Sequence, residues 1–129
     1  MSSPYTLKKL TEVKDSAPDF GFGEVQEARF AGGALDAERT GLSLLRVRAG
    51  KRQGFAHKHE QAEEVYVVLA GSGRVKLDDE ILDLERLDAL RVAPGVTRMF
   101  EAGSEDLEIL AFGARHEGDG DLVKDWWTD

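Results

Sequence analysis

The chain contains no cysteine. That excludes a disulfide framework, a thiolate metal site and a cysteine nucleophile. Basic residues are scarce: 17 Lys and Arg stand against 25 Asp and Glu, for a net charge of −8. A surface this acidic repels phosphate backbones and anionic headgroups, so nucleic-acid and membrane-surface binding are not expected. No stretch approaches the roughly 18 consecutive apolar residues of a membrane-spanning helix. The first residues are polar with interspersed lysines and do not have the pattern of a secretory leader. With the absence of cysteine, this gives a cytoplasmic location as the expectation. Internal repeats, low-complexity tracts and a sustained helical period are also missing. The sequence lacks Gly-x-Ser-x-Gly, and Gly71-Ser72-Gly73 is too short for a phosphate loop and precedes a strand. The acidic run Asp78-Asp79-Glu80 does not have the spacing of a calcium loop.

What is present is a series of short strands in 129 residues, the length of one ordinary domain. After an arm over residues 1–22, with a short helix or edge strand expected near residues 7–13, the apolar period shifts toward two. Strands are expected at residues 24–30, 41–47, 65–70, 74–77, 81–84, 87–92, 97–101 and 107–113. Glycine, proline and acidic turn residues separate them. The run Val65 to Ala70 is continuous and valine-rich, as in a strand buried on both faces. This spacing argues for an all-β sandwich or barrel with a core over residues 41–113. The tail, residues 114–129, is acidic and nearly ends on Trp126-Trp127. Two adjacent indoles are expected to pack on the barrel or on a second subunit.

Two of the three histidines, His57 and His59, are two residues apart. On a strand, positions i and i+2 share a face, so the imidazoles can lie side by side. A carboxylate, Glu63 or Glu64, follows at the start of the next apolar run. Two imidazoles and one carboxylate suit a first-row transition metal. The competing reading is two solvated histidines in a polar turn over residues 56–61. His116 falls after the last core strand and reads as a loop residue.

The pattern His57-x-His59-x4-Glu64-x6-Gly71, with Gly50 upstream, resembles the first motif of the cupin superfamily and is similar to small single-domain cupins. The stretch from Asp88 through Pro94-Gly95 to Ala102 resembles the second motif. It departs at two places: Arg98 stands where a fourth metal ligand, a histidine, is expected, and Ala102 stands near an expected asparagine. The resemblance implies a double-stranded β-helix, the jelly-roll barrel. It implies a small-molecule pocket holding Tyr66, Arg98 and Phe100, with His57, His59 and Glu64 as metal ligands. Glu64 fits the spacing to Gly71 better than Glu63 does. The implied cofactor is a divalent ion (iron, manganese, zinc or nickel), and a homodimer is the implied assembly.

Arg98 leaves three alternatives. His57, His59 and Glu64 bind a metal alone, as a facial set with open positions. Or the guanidinium enters the fourth-ligand place and pairs with Glu64, giving a metal-free pocket for a small ligand. Or Arg98 snorkels outward and is irrelevant. The first alternative implies a metal-dependent enzyme of unassigned reaction. The second implies a non-catalytic binding or sensor protein.

Overall fold

A computed structural model describes residues 3–116 and 118–129. Ten strands follow one another: β1 Gln26–Phe30, β2 Thr40–Val47, β3 Ala56–His59, β4 Glu64–Ala70, β5 Gly73–Leu77, β6 Glu80–Leu84, β7 Ala89–Val92, β8 Arg98–Ala102, β9 Leu107–Ala114 and β10 Gly120–Val123. They form two five-stranded antiparallel sheets, in the orders β1-β2-β9-β4-β7 and β10-β3-β8-β5-β6. The sheets face each other as a jelly-roll barrel. The inward-pointing positions meet between them: Tyr66 and Val68 of β4, Leu107, Ile109 and Ala111 of β9, Val75 of β5 and Phe100 of β8.

Residue chemistry accounts for most of these elements. β9 alternates buried and half-buried side chains along Leu107–Ala111, the period of a strand with one face on the core. β4 does the same, which corrects the expectation that it is buried on both faces. Tyr66 and Val68 turn inward, while Val65, Val67 and Leu69 stay half-buried on the outside. An antiparallel sheet without covering helices buries one face only. The β5–β6 hairpin turns at Asp78-Asp79, where Asp78 adopts the left-handed region at φ +51°. Asp78 Oδ1 also accepts a 3.0 Å hydrogen bond from the Thr97 N–H. Gly71 ends the first motif for a steric reason. Its φ is +78°, and a Cβ there would lie 2.1 Å from the carbonyl oxygen of Asp106.

Two strands lack a sequence signal. Ala56–His59 has no β-branched residue, and Gly120–Val123 lies in the acidic tail. They form because they pair with each other, Gly120 opposite His59 through Val123 opposite Ala56. β3 also meets β8 at His57 opposite Arg98. In the arm, the short element expected near residues 7–13 is a 3-10 turn at Leu10–Glu12, and a second such turn spans Ala17–Phe20. Asp15 ties the arm to β1, its Oδ1 accepting from the Ala17 and Ala28 N–H groups at 3.0 and 2.9 Å.

The tryptophans pack on the chain's own barrel. Trp127 is 5% exposed, against Ala56 and Met99. The Arg52 guanidinium lies 4.2 Å from the Trp127 ring centroid and donates to the Trp127 carbonyl at 2.8 Å. Lys76 Nζ lies 4.5 Å from the Trp126 ring centroid. Among the described residues, no helix is long and apolar enough to cross a membrane.

Candidate functional site

β3 presents His57 and His59, with ring centroids 5.3 Å apart. β4 presents Glu64 and Tyr66, again two residues apart and so on one face. β8 supplies Arg98 from the neighbouring register. The Nε2 atoms of His57 and His59 each lie 3.6 Å from Glu64 Oε1. One ligand atom from each of His57, His59 and Glu64 falls within 4.8 Å of the others, close enough to hold a metal ion between them. Glu63 points elsewhere and pairs with Arg91 at 3.3 Å on the exposed side. His116 is exposed and is not part of this group.

Arg98 is completely buried. Its Nη2 lies 2.8 Å from Glu64 Oε1, its Nε donates to the Tyr66 hydroxyl at 3.0 Å, and its Nη1 donates to the Val96 carbonyl at 2.9 Å. The outward-snorkelling alternative is therefore wrong: β8 turns this side chain into the barrel, where the carboxylate and phenol satisfy its charge and donors. The Tyr66 hydroxyl passes a hydrogen bond on to Glu64 Oε1 and lies 3.3 Å from His57 Nε2. Phe100, fully buried, stacks edge-on against Tyr66 at 4.8 Å. Tyr66 thus lines the cavity above the group, and Arg98 and Phe100 lie behind it.

The ionisation states follow from this packing. For Glu64, burial alone favours the neutral acid. Hydrogen bonds from His57, His59, Tyr66 and Arg98 outweigh it and hold the carboxyl far below the usual carboxylate range. Burial pushes the His57 imidazole down, and the Arg98 charge adds to that while Glu64 opposes it. Burial, then the Glu64 charge, raises the Tyr66 phenol. Burial works against the Arg98 cation, but Tyr66 and Glu64 overcome it and raise its pKa. The group at rest is one carboxylate, one guanidinium, a neutral phenol and a neutral His57.

One supporting residue carries no sequence signal: Asp119, 60 positions beyond His59. Its carboxylate accepts from the backbone N–H groups of Glu60, Gln61 and Ala62 at 2.9, 2.8 and 2.9 Å. That clamps the loop joining the histidine strand to the glutamate strand. Asp119 Oδ2 also lies 3.5 Å from His59 Nδ1, an ion-pair distance without hydrogen-bond alignment, and that ring nitrogen has no other partner. The carboxylate behind the imidazole helps hold the ring with Nε2 facing Glu64.

Above this floor the barrel opens into a cavity of about 340 Å³. The Cupin domain family matches residues 43–113. Solved structures agree with the fold. A cupin protein from Bacteroides fragilis is 24% identical, with a TM-score of 0.70 over 91% of this chain and 89% of its own. A putative sugar phosphate isomerase from Acidithiobacillus ferrooxidans is 21% identical, with a TM-score of 0.69 over 90% and 78%. Pac13 of Streptomyces, a nucleoside dehydratase, is 16% identical, with a TM-score of 0.71 over 96% and 92%. No curated protein matches the chain. The fold is thus that of a small cupin barrel. The chain belongs to the cupin family.

Proposed function

We propose that this cupin binds a small organic molecule in the barrel mouth, and that Arg98 takes the place of the fourth metal ligand, leaving a metal-free site built from protein side chains. The observation that carries this reading is the buried contact between Arg98 and Glu64. With His57 neutral, one carboxylate and one guanidinium cancel, so a divalent ion meets no net negative charge from this pair. Two unit charges 4 Å apart interact by about 4 kcal/mol at an effective dielectric near 20, and a divalent ion doubles the repulsion. His57, His59 and Tyr66 then offer a ligand hydrogen-bonding atoms at fixed positions, as a binding or sensor protein requires.

A second reading has its own support in the 4.8 Å convergence of the His57, His59 and Glu64 ligand atoms. These donors fit iron, manganese, zinc or nickel by type. Such an ion supplies Lewis acidity or activates water or oxygen. Small-molecule enzymes occur among the structural neighbours, at identities that bear on the fold alone.

Zinc titration by calorimetry, on the protein and on Arg98→His, separates the two. The metal-free reading expects weak binding by the natural chain and tight stoichiometric binding once the histidine is present. Equal, tight, stoichiometric binding by both proteins would overturn it in favour of the metal-dependent enzyme.

A further inference from the structure

The cavity wall differs chemically from its floor. Phe22 and Phe55 pack at 5.1 Å between ring centroids, and Phe20 and Phe30 stand at the lip, each more than half exposed. Gly54 leaves the room that Phe22 occupies, since a Cβ there would lie 2.1 Å from its ring. Among the described residues, neither lysine nor arginine lines the cavity. Arg98 lies beneath it and is already engaged by Glu64.

Two buried carboxamides break the apolar wall, Gln26 at 5% and Gln53 at 7% exposure. Each has its oxygen fixed by the backbone. Gln26 Oε1 accepts from the Gly54 N–H at 2.8 Å, and Gln53 Oε1 accepts from the Phe100 N–H at 3.0 Å. Because an N–H can only donate, the oxygen of each amide is identified, and its NH2 is the end left over. Neither nitrogen donates to a described residue, and neither is fully enclosed, so each keeps accessible surface on a residue that lines the cavity. A donor left over on a largely buried amide beside a cavity offers a ligand acceptor a place to bind.

From this geometry we infer that the ligand is an uncharged, ring-bearing molecule with a carbonyl acceptor. Its ring lies among Phe20, Phe22, Phe30 and Phe55, and its oxygen accepts from the NH2 groups of Gln26 and Gln53. A phosphate or sugar phosphate finds no free lysine or arginine among the described lining residues and meets the Glu64 carboxylate, so the charge that defines it is unmatched. This inference rests on the reading of the barrel mouth as a ligand pocket and specifies what the pocket takes.

The test is a nuclear magnetic resonance titration of the whole chain with acetophenone, benzoate and glucose 6-phosphate, following the side-chain NH2 signals of Gln26 and Gln53. Acetophenone is expected to shift both signals saturably, benzoate to bind more weakly, and glucose 6-phosphate to leave them unmoved. Gln53→Glu keeps the oxygen that Phe100 uses and removes the donor; it should weaken acetophenone about tenfold or more, the scale of losing a donor to a buried acceptor. If the acidic side chain perturbs folding, Phe55→Ala provides the second variant, weakening acetophenone through the lost ring contact. Saturable cavity shifts with glucose 6-phosphate and none with acetophenone would overturn the ligand class while keeping the pocket. Absence of cavity shifts with all three compounds would overturn both the class and the pocket. Acetophenone affinity unchanged in both variants would place its binding elsewhere and also overturn the class.

Discussion

Arg98 Nη2 and Glu64 Oε1 lie 2.8 Å apart, with the guanidinium wholly buried and the carboxylate opening toward the cavity. Each group is the reason the other can remain charged inside the barrel. Replacing Arg98 by methionine removes the partner and leaves an uncompensated buried carboxylate, which costs about 3–5 kcal/mol. Adding Glu64→Gln should recover much of that loss, because a neutral amide has no charge to leave unpaired. Urea denaturation of both single variants and the double variant measures the coupling. Additive effects would show that the two side chains do not depend on each other.

Asp119 acts on the site through the backbone. Asp119→Ala strips the acceptors from the N–H groups of Glu60, Gln61 and Ala62. The expected destabilisation is about 1–3 kcal/mol for donors left without a partner. Amide hydrogen exchange distinguishes this from general loosening: protection should fall at residues 60–62 and be retained in β9.

Glu101 gives the outer face of β8 a pH dependence. It accepts from Arg52 Nε at 2.6 Å, and Arg74 Nη2 lies 2.7 Å away. Burial is the largest single influence and raises its pKa, but the hydrogen bonds and charges of the two guanidinium groups together outweigh it and hold the carboxyl below its ordinary value of 4.5. A carboxyl whose folded pKa is depressed stabilises the fold above its unfolded pKa and loses that contribution as pH falls through the folded value. Stability should therefore decline below about pH 4.5, and Glu101→Gln should flatten that part of the curve. Arg52 also covers Trp127, so tryptophan fluorescence followed in acid should report the same transition.

Gly71 cannot become alanine without a shift of the backbone. The added Cβ would meet the Asp106 carbonyl at 2.1 Å, in a conformation that L residues rarely adopt. Gly71→Ala should cost roughly 1–3 kcal/mol in backbone strain alone, with the contact adding to it. Gly95 has a similar φ of +86° but open space around it, so Gly95→Ala should bear the strain without the clash. A melting-temperature comparison of the two variants separates these contributions.

Much of the barrel is legible in the residues themselves. The alternation along β5, the Asp78-Asp79 turn and the Pro94-Gly95 break are local signals, and each appears at its expected place. The two-residue spacing of His57 and His59 is legible too, but it puts both on one face only if a strand forms there. The site's supports are not. β3 has a polar, weakly strand-forming sequence and exists through its pairing with β10 and β8, which no local pattern encodes. Asp119 bonds to residues nearly 60 positions away, and Gln26 reaches across 28. Only Gln53 left a trace, since it shares parity with Phe55, His57 and His59, but a glutamine in a polar stretch reads as solvated.

The region shared with the cupin family, residues 43–113, contains His57, His59, Glu64, Tyr66 and Arg98. Gln26, Phe20, Phe22, Phe30, Asp119 and Leu122 lie outside it, in the arm, the first strand and the tail. The shared barrel thus supplies the histidine, carboxylate and guanidinium cluster, while much of the cavity wall is built by the two flanks. On the proposed reading, chains with the same central motif and different flanks would keep this cluster and change what the cavity admits. Exchanging flanks between such proteins is a route to moving selectivity without touching the histidines.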